Sequence, residues 1–165
     1  MDIKRIATAV IATIPLLLPV RARAHEDAKH ATKKEVQAEM KNTGFGRTGD
    51  PQNVSRTVNV AMRDTLRFSP AELTIKRGDT VKFVVKNTGK TMHEMVLGST
   101  SELKAHAELM KKFPGMEHDE PYMAHVEPGK TAEIVWQFTK VGEFQYGCLI
   151  PGHFEGGMVG KLVVK

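Results

Sequence analysis

Three side chains suited to a soft metal ion fall on one short stretch, Tyr146-Gly147-Cys148-Leu149-Ile150-Pro151-Gly152-His153-Phe154-Glu155-Gly156-Gly157-Met158-Val159-Gly160, where Cys148, His153 and Met158 are each five residues apart. A strand end followed by a tight Pro/Gly loop lets thiolate, imidazole and thioether converge on one point, with the next strand opening at the methionine. Thiolate and thioether favour copper, imidazole serves both its oxidation states, and two imidazoles, a thiolate and a long axial thioether make the type 1 arrangement. The second imidazole must come from elsewhere. His93 is the best candidate, because it begins a strand far upstream, after Asn87-Thr88-Gly89-Lys90-Thr91-Met92, and sheet pairing can bring that loop beside the other. Taken singly, each residue has an ordinary explanation: Cys148 as core filler, His153 as a surface loop residue, Met158 as the packed start of a strand. Their order on one loop makes the set specific.

Other chemistries find less support. Cys148 is the sole cysteine, which excludes an internal disulfide framework and any centre needing two thiolates from one chain. A lone thiol in an oxidising space is a liability unless it is buried or ligated. The chain contains no His-x-His pairs of the kind that hold the further copper ions of an oxidase or nitrite reductase. It also lacks a Ser/His/Asp or paired-carboxylate arrangement in a suitable context. An enzymatic role is therefore not expected.

The elements that must position these ligands follow from the pattern of the whole chain. Its 165 residues are enough for one domain with a real core. Lys4 and Arg5, the largely apolar run 6–20 and the small-residue pattern Ala22-Arg23-Ala24 read as a signal peptide over 1–24, leaving His25 as the first mature residue. That run is too short for a bilayer, so a periplasmic product without a membrane span is expected. With the leader set aside, only +2 of the formal +5 charge remains, and no basic patch interleaved with aromatics points to nucleic acid. Residues 25–53 are polar, with glycines at 44, 46 and 49, and read as a flexible His-containing arm.

From Val54 the texture changes to short segments of period-two alternation bounded by Gly, Pro, Asn or Asp, the signature of antiparallel sheet. Strands are expected over 57–62, 66–68, 72–75, 81–86, 93–97, 131–138, 142–148 and 158–164, with a helix-favouring stretch at 101–113 inside an insertion of about 98–126. Short strands in this number imply an all-β, two-sheet sandwich with Greek-key connections.

The loop Pro151-Gly152-His153-Phe154-Glu155-Gly156-Gly157-Met158, with His93-Glu94 upstream, resembles the plastocyanin/azurin family of cupredoxins, and in particular the periplasmic cupredoxins of bacterial copper tolerance. The resemblance covers 54–165. It implies a cupredoxin-like sandwich holding one type 1 copper per chain, with His93, Cys148 and His153 equatorial and Met158 axial. It also implies one-electron cycling between Cu(I) and Cu(II), serving copper tolerance by sequestration, oxidation or electron shuttling. The alternative is a dedicated electron carrier of a respiratory or photosynthetic chain. A redox protein partner is expected to dock transiently on the small residues around His153, with the chain acting as a monomer.

Two departures stand out. Glu94 occupies the position where electron-transfer cupredoxins commonly carry Asn or Ser tying the ligand loops, and the insertion is additional. Surplus ligands in the arm and insertion, namely His25, His30, His106, Met110, Met116, His118, Met123 and His125, are candidates for secondary copper capture. The competing explanation is packing: His106 and Met110 are four apart and share a helix face, and methionine often fills gaps in irregular loops.

Overall fold

Alternation decides the sandwich. In β8 (Thr131–Phe138), Ile134, Trp136 and Phe138 turn inward while Thr131 and Glu133 face water, and in β2 (Arg56–Arg63) Val58, Val60 and Met62 do the same. A computed structural model describes residues 42–114 and 119–165 and arranges them in two five-stranded sheets. The first sheet has the order β1 (Gly46–Thr48), β8, β5 (Thr80–Asn87), β2, β3 (Arg67–Ser69). The second runs β4 (Glu72–Ile75), β10 (Val159–Val164), β9 (Gly142–Gly147), β6 (His93–Gly98), β7 (Met123–Val126). The leader, the arm as far as residue 41, and the candidate ligands His25, His30, Met116 and His118 lie outside the described residues.

Three features differ from the expectations above. The sheet begins before Val54, because β1 pairs antiparallel with β8 (Gly46↔Phe138) and Phe45 packs against Trp136 and Phe144. The insertion returns as strand β7, paired with β6, where no strand was expected. Pairing is also not wholly antiparallel. β2 runs parallel to β5 and β4 parallel to β10, since the chain crosses between sheets at the Ser69–Pro70 turn and must return beside earlier strands.

Between the sheets lies the main core, where Val60, Phe83, Val85, Ile134 and Trp136 of one sheet meet Ile75, Met95, Leu97, Tyr146 and Leu162 of the other. β6 is buried at all six positions, which simple alternation does not explain. Its second face is covered by the helix of the insertion, α1 (Thr100–Lys112). Ser99 starts that helix with a capping box, its hydroxyl accepting from the Glu102 N–H while the Glu102 carboxylate accepts from the Ser99 N–H. Leu103, Ala107 and Met110 then face Val96, Met123 and Leu149 to form a second, smaller core. Leu149 follows Cys148 directly, so the insertion packs against the ligand-bearing loop. Lys111 of α1 also reaches that loop, 2.7 Å from the Glu155 carboxylate.

Candidate metal centre

His93 is the first residue of β6, and Cys148 follows the last residue of the neighbouring β9. Adjacent strands thus deliver the two ligands to the same end of one sheet. The loop 148–158 closes on itself through backbone bonds: the Cys148 N–H donates to the Met158 carbonyl (3.0 Å) and the Met158 N–H to the His153 carbonyl (3.0 Å). All three residues picked out by spacing are therefore tied to one another by main chain. Gly152 (φ +88°) and Gly157 (φ +86°) take left-handed conformations that a side chain disfavours, and these allow the loop to fold so tightly.

The result is a convergence of His93, Cys148 and His153, whose potential ligand atoms all lie within 4.8 Å of one another. Cys148 Sγ is 3.3 Å from His153 Nδ1, and the two imidazole rings stand 5.0 Å apart. His93 and Cys148 are fully buried, while His153 is half-buried and presents an edge to solvent. Met158 is also fully buried, at the end of the same loop.

Hydrogen bonds select the free ligand atom of His93. Its Nε2 is 3.1 Å from Asp64 Oδ1. The Asp64 carboxyl is held down to about 2, chiefly by the Lys90 N–H, with further bonds from Thr91 and His93 outweighing the opposing effect of desolvation. An ionised Asp64 only accepts, so Nε2 carries the proton and Nδ1 keeps its lone pair. That Nδ1 is buried and has no hydrogen-bond partner. A buried acceptor left unmatched costs free energy unless a ligand takes it.

The other ligands are tuned by burial. It pushes the Cys148 thiol up to about 12, opposed by the Glu94 N–H, which donates to the sulfur at 3.4 Å. Burial and the neighbouring His93 together hold His153 below its ordinary value. These donors fit a copper ion: one sulfur that gains a thiolate only by exchanging its proton for a metal, two imidazole nitrogens, and a buried thioether at the loop's end.

Residues outside the ligand set hold it in place, and several were not legible in the sequence. Asp64, in the turn between β2 and β3, is 29 residues from the histidine it orients. Asn87 is fully buried and donates to the carbonyls of Thr91 and Val126, fixing the loop that leads into His93. Glu94, 1% exposed, accepts from the Leu149 N–H at 2.7 Å. A glutamate thus makes the tie between ligand loops that the sequence placed in question.

Of the surplus ligands, Met123 is buried in the second core and Met110 packs there from α1. His125 points Nε2 at Glu94 Oε2, 2.9 Å away. His106 lies on α1, one residue before the buried Ala107. Among the described residues, the group with metal-binding spacing is His93, Cys148 and His153. No helix among those residues is long and apolar enough to cross a membrane.

Comparison with known proteins bears on the same centre. The family model described as copper binding proteins, plastocyanin/azurin family, matches residues 54–165. A protein of Rubrivivax gelatinosus named copper-resistant cuproprotein CopI is 46% identical over 162 residues, covering 98% of both chains. The protein of the same name from Vibrio cholerae is 38% identical over 121 residues, 73% of this chain and 70% of that one. Among solved structures, the reduced auracyanin of the photosynthetic bacterium Roseiflexus castenholzii superposes with a TM-score of 0.59 at 22% identity, over 68% of this chain and 98% of that one.

Proposed function

Given that the chain belongs to the plastocyanin/azurin family of copper-binding proteins, we propose that it is a periplasmic, non-enzymatic cupredoxin that serves copper tolerance by holding copper and exchanging single electrons through it. The observation that carries this reading is the buried, partnerless His93 Nδ1 facing a lone thiol and a second imidazole. His93, Cys148, His153 and Met158 are the residues that would hold the copper. Copper bound by this set changes oxidation state by one electron with little rearrangement.

The chain's own residues do the rest. Asp64 fixes the tautomer and orientation of His93. The backbone bonds among Cys148, His153 and Met158 keep the loop from collapsing or opening as charge changes. The half-exposed edge of His153 is the route for electrons, and the small residues Gly152, Gly156 and Gly157 beside it allow a partner to approach closely. Copper tolerance is favoured over a dedicated respiratory or photosynthetic carrier by full-length similarity to a protein named copper-resistant. The likeness to auracyanin, at 22% identity, speaks to the fold alone.

The test has two arms. The copper-loaded protein should carry one copper and an intense thiolate-to-Cu(II) band that Cys148→Ala abolishes; a band that survives the substitution overturns the ligand assignment. A strain lacking the gene should grow poorly on elevated copper and normally without it. Normal growth on copper together with impaired respiration or photosynthesis would favour the carrier.

A further inference from the structure

The buried carboxylate of Glu94 is a group that copper ligation does not use. It belongs to β6, next to His93 in sequence and on the opposite side of the strand, the side covered by the insertion. Each of its ends is engaged. Its backbone N–H donates to Cys148 Sγ at 3.4 Å, Oε1 accepts from the Leu149 N–H at 2.7 Å, and Oε2 lies 2.9 Å from His125 Nε2. Glu94 and His125 are directly opposed in the β6–β7 ladder, so the pair is set by sheet register. His125 in turn is partly exposed, with Nδ1 3.7 Å from Asp119. A chain of contacts therefore runs from the surface of the insertion to the thiol and to the residue that follows it.

We propose that Glu94 and His125 are positioning residues of the copper centre, His125 aiming the Glu94 carboxylate so that it clamps the segment after Cys148 and lays a negative charge beside the thiolate. This rests on the copper reading above. The clamp holds Leu149, whose side chain is also gripped by α1, and so fixes the direction from which Cys148 meets the metal. The charge favours the more positive, oxidised ion. The insertion that carries His125 is thereby a working part of the centre and more than a cover over β6.

Glu94→Gln and His125→Ala separate the two effects. Glutamine keeps an oxygen for the Leu149 N–H but removes the charge. In the metal-free full-length protein, hydrogen exchange at the Leu149 amide should stay slow in Glu94→Gln and accelerate at least about tenfold in His125→Ala and Glu94→Ala, where the clamp is lost. In the copper-loaded protein poised at one fixed potential, Glu94→Gln should raise the Cu(I)/Cu(II) ratio about tenfold, equivalent to about 59 mV for a one-electron couple. His125→Ala should shift the thiolate-to-Cu(II) band. Wild-type exchange at Leu149 in His125→Ala overturns the clamp, and an unchanged Cu(I)/Cu(II) ratio in Glu94→Gln overturns the charge effect. If Glu94→Gln does not fold, the His125→Ala exchange rate decides the clamp and its band position decides the coupling to the metal. Failure of the unsubstituted protein to take up copper would sink the copper reading instead, and the metal-free exchange measurement would still stand.

Discussion

Copper uptake should release one proton per ion near pH 8, and the proton should come from Cys148. In the metal-free protein burial pushes this thiol up to about 12 from an ordinary 9.0, so at pH 8 it is almost wholly protonated. Ionising it in place costs roughly 4 kcal/mol more than ionising an ordinary cysteine, at about 1.36 kcal/mol for each of the three intervening pH units. Copper must displace that proton to gain the thiolate. His153 contributes none, because burial and His93 hold it below its ordinary 6.5 and it is already neutral. Apparent affinity should therefore rise about tenfold per pH unit between pH 7.5 and 9, since the free sulfur still holds its proton throughout that range. The same shift makes the metal-free protein less stable in alkali: the folded pKa is the raised one, so its stabilising contribution is whole below about pH 9 and is lost as pH rises towards 12. The assay is titration calorimetry with Cu(II) in buffers of differing ionisation enthalpy, supported by competition with a chelator at several pH values. Release of much less than one proton, or an affinity flat across this range, would refute a protonated buried thiol as the resting state. Cys148→Ala should remove the pH dependence along with the visible band.

Leu103→Ala should destabilise the protein by about 2–5 kcal/mol in urea unfolding, because the side chain is buried between α1 and β6, and copper should dissociate faster because the cavity opens beside Leu149. Loss of stability with unchanged copper release would detach the insertion from the loop. Tyr146→Phe should cost about 1 kcal/mol at neutral pH by removing the 2.7 Å bond to the Pro70 carbonyl. Burial raises the Tyr146 phenol, so the wild type loses stability as pH climbs past 10, where the unfolded chain ionises first; the variant should lose less over that range in denaturation at pH 9 to 11. Arg67 donates to the carbonyls of Gly156 and Gly157 in the ligand-bearing loop, Arg63 lies opposite Arg67 in the β2–β3 pair, and neighbouring Asp64 is committed to the Lys90 and Thr91 amides and to His93. Oxidation of the reduced protein by anionic hexacyanoferrate should therefore slow several-fold between about 10 mM and 0.5 M salt, and slow further in Arg63→Gln/Lys90→Gln. Stopped-flow rates that are independent of salt would contradict a steering role for these cations.

Cys148, His153 and Met158 were legible in the sequence because a loop of eleven residues makes its own geometry, and Gly152 and Gly157 supply the two left-handed turns it needs. Strands such as β4 and β8 were legible for a similar reason, since alternation reports a buried face directly. Three-residue β1 is too short to show a period, and Met123-Ala124-His125-Val126 reads equally well as loop until it is laid against β6. Alternation says which side of a strand is apolar and nothing about which strand lies beside it. Packing of one sheet on the other placed Asp64 on His93 and Asn87 on Val126, and pairing of β6 with its two neighbours placed Glu94 on both Leu149 and His125, contacts spanning 29 to 55 residues. The sequence by itself thus determined which donor side chains one short loop carries; the folding of distant segments against one another decided which nitrogen of His93 is left free and what holds the thiol in place.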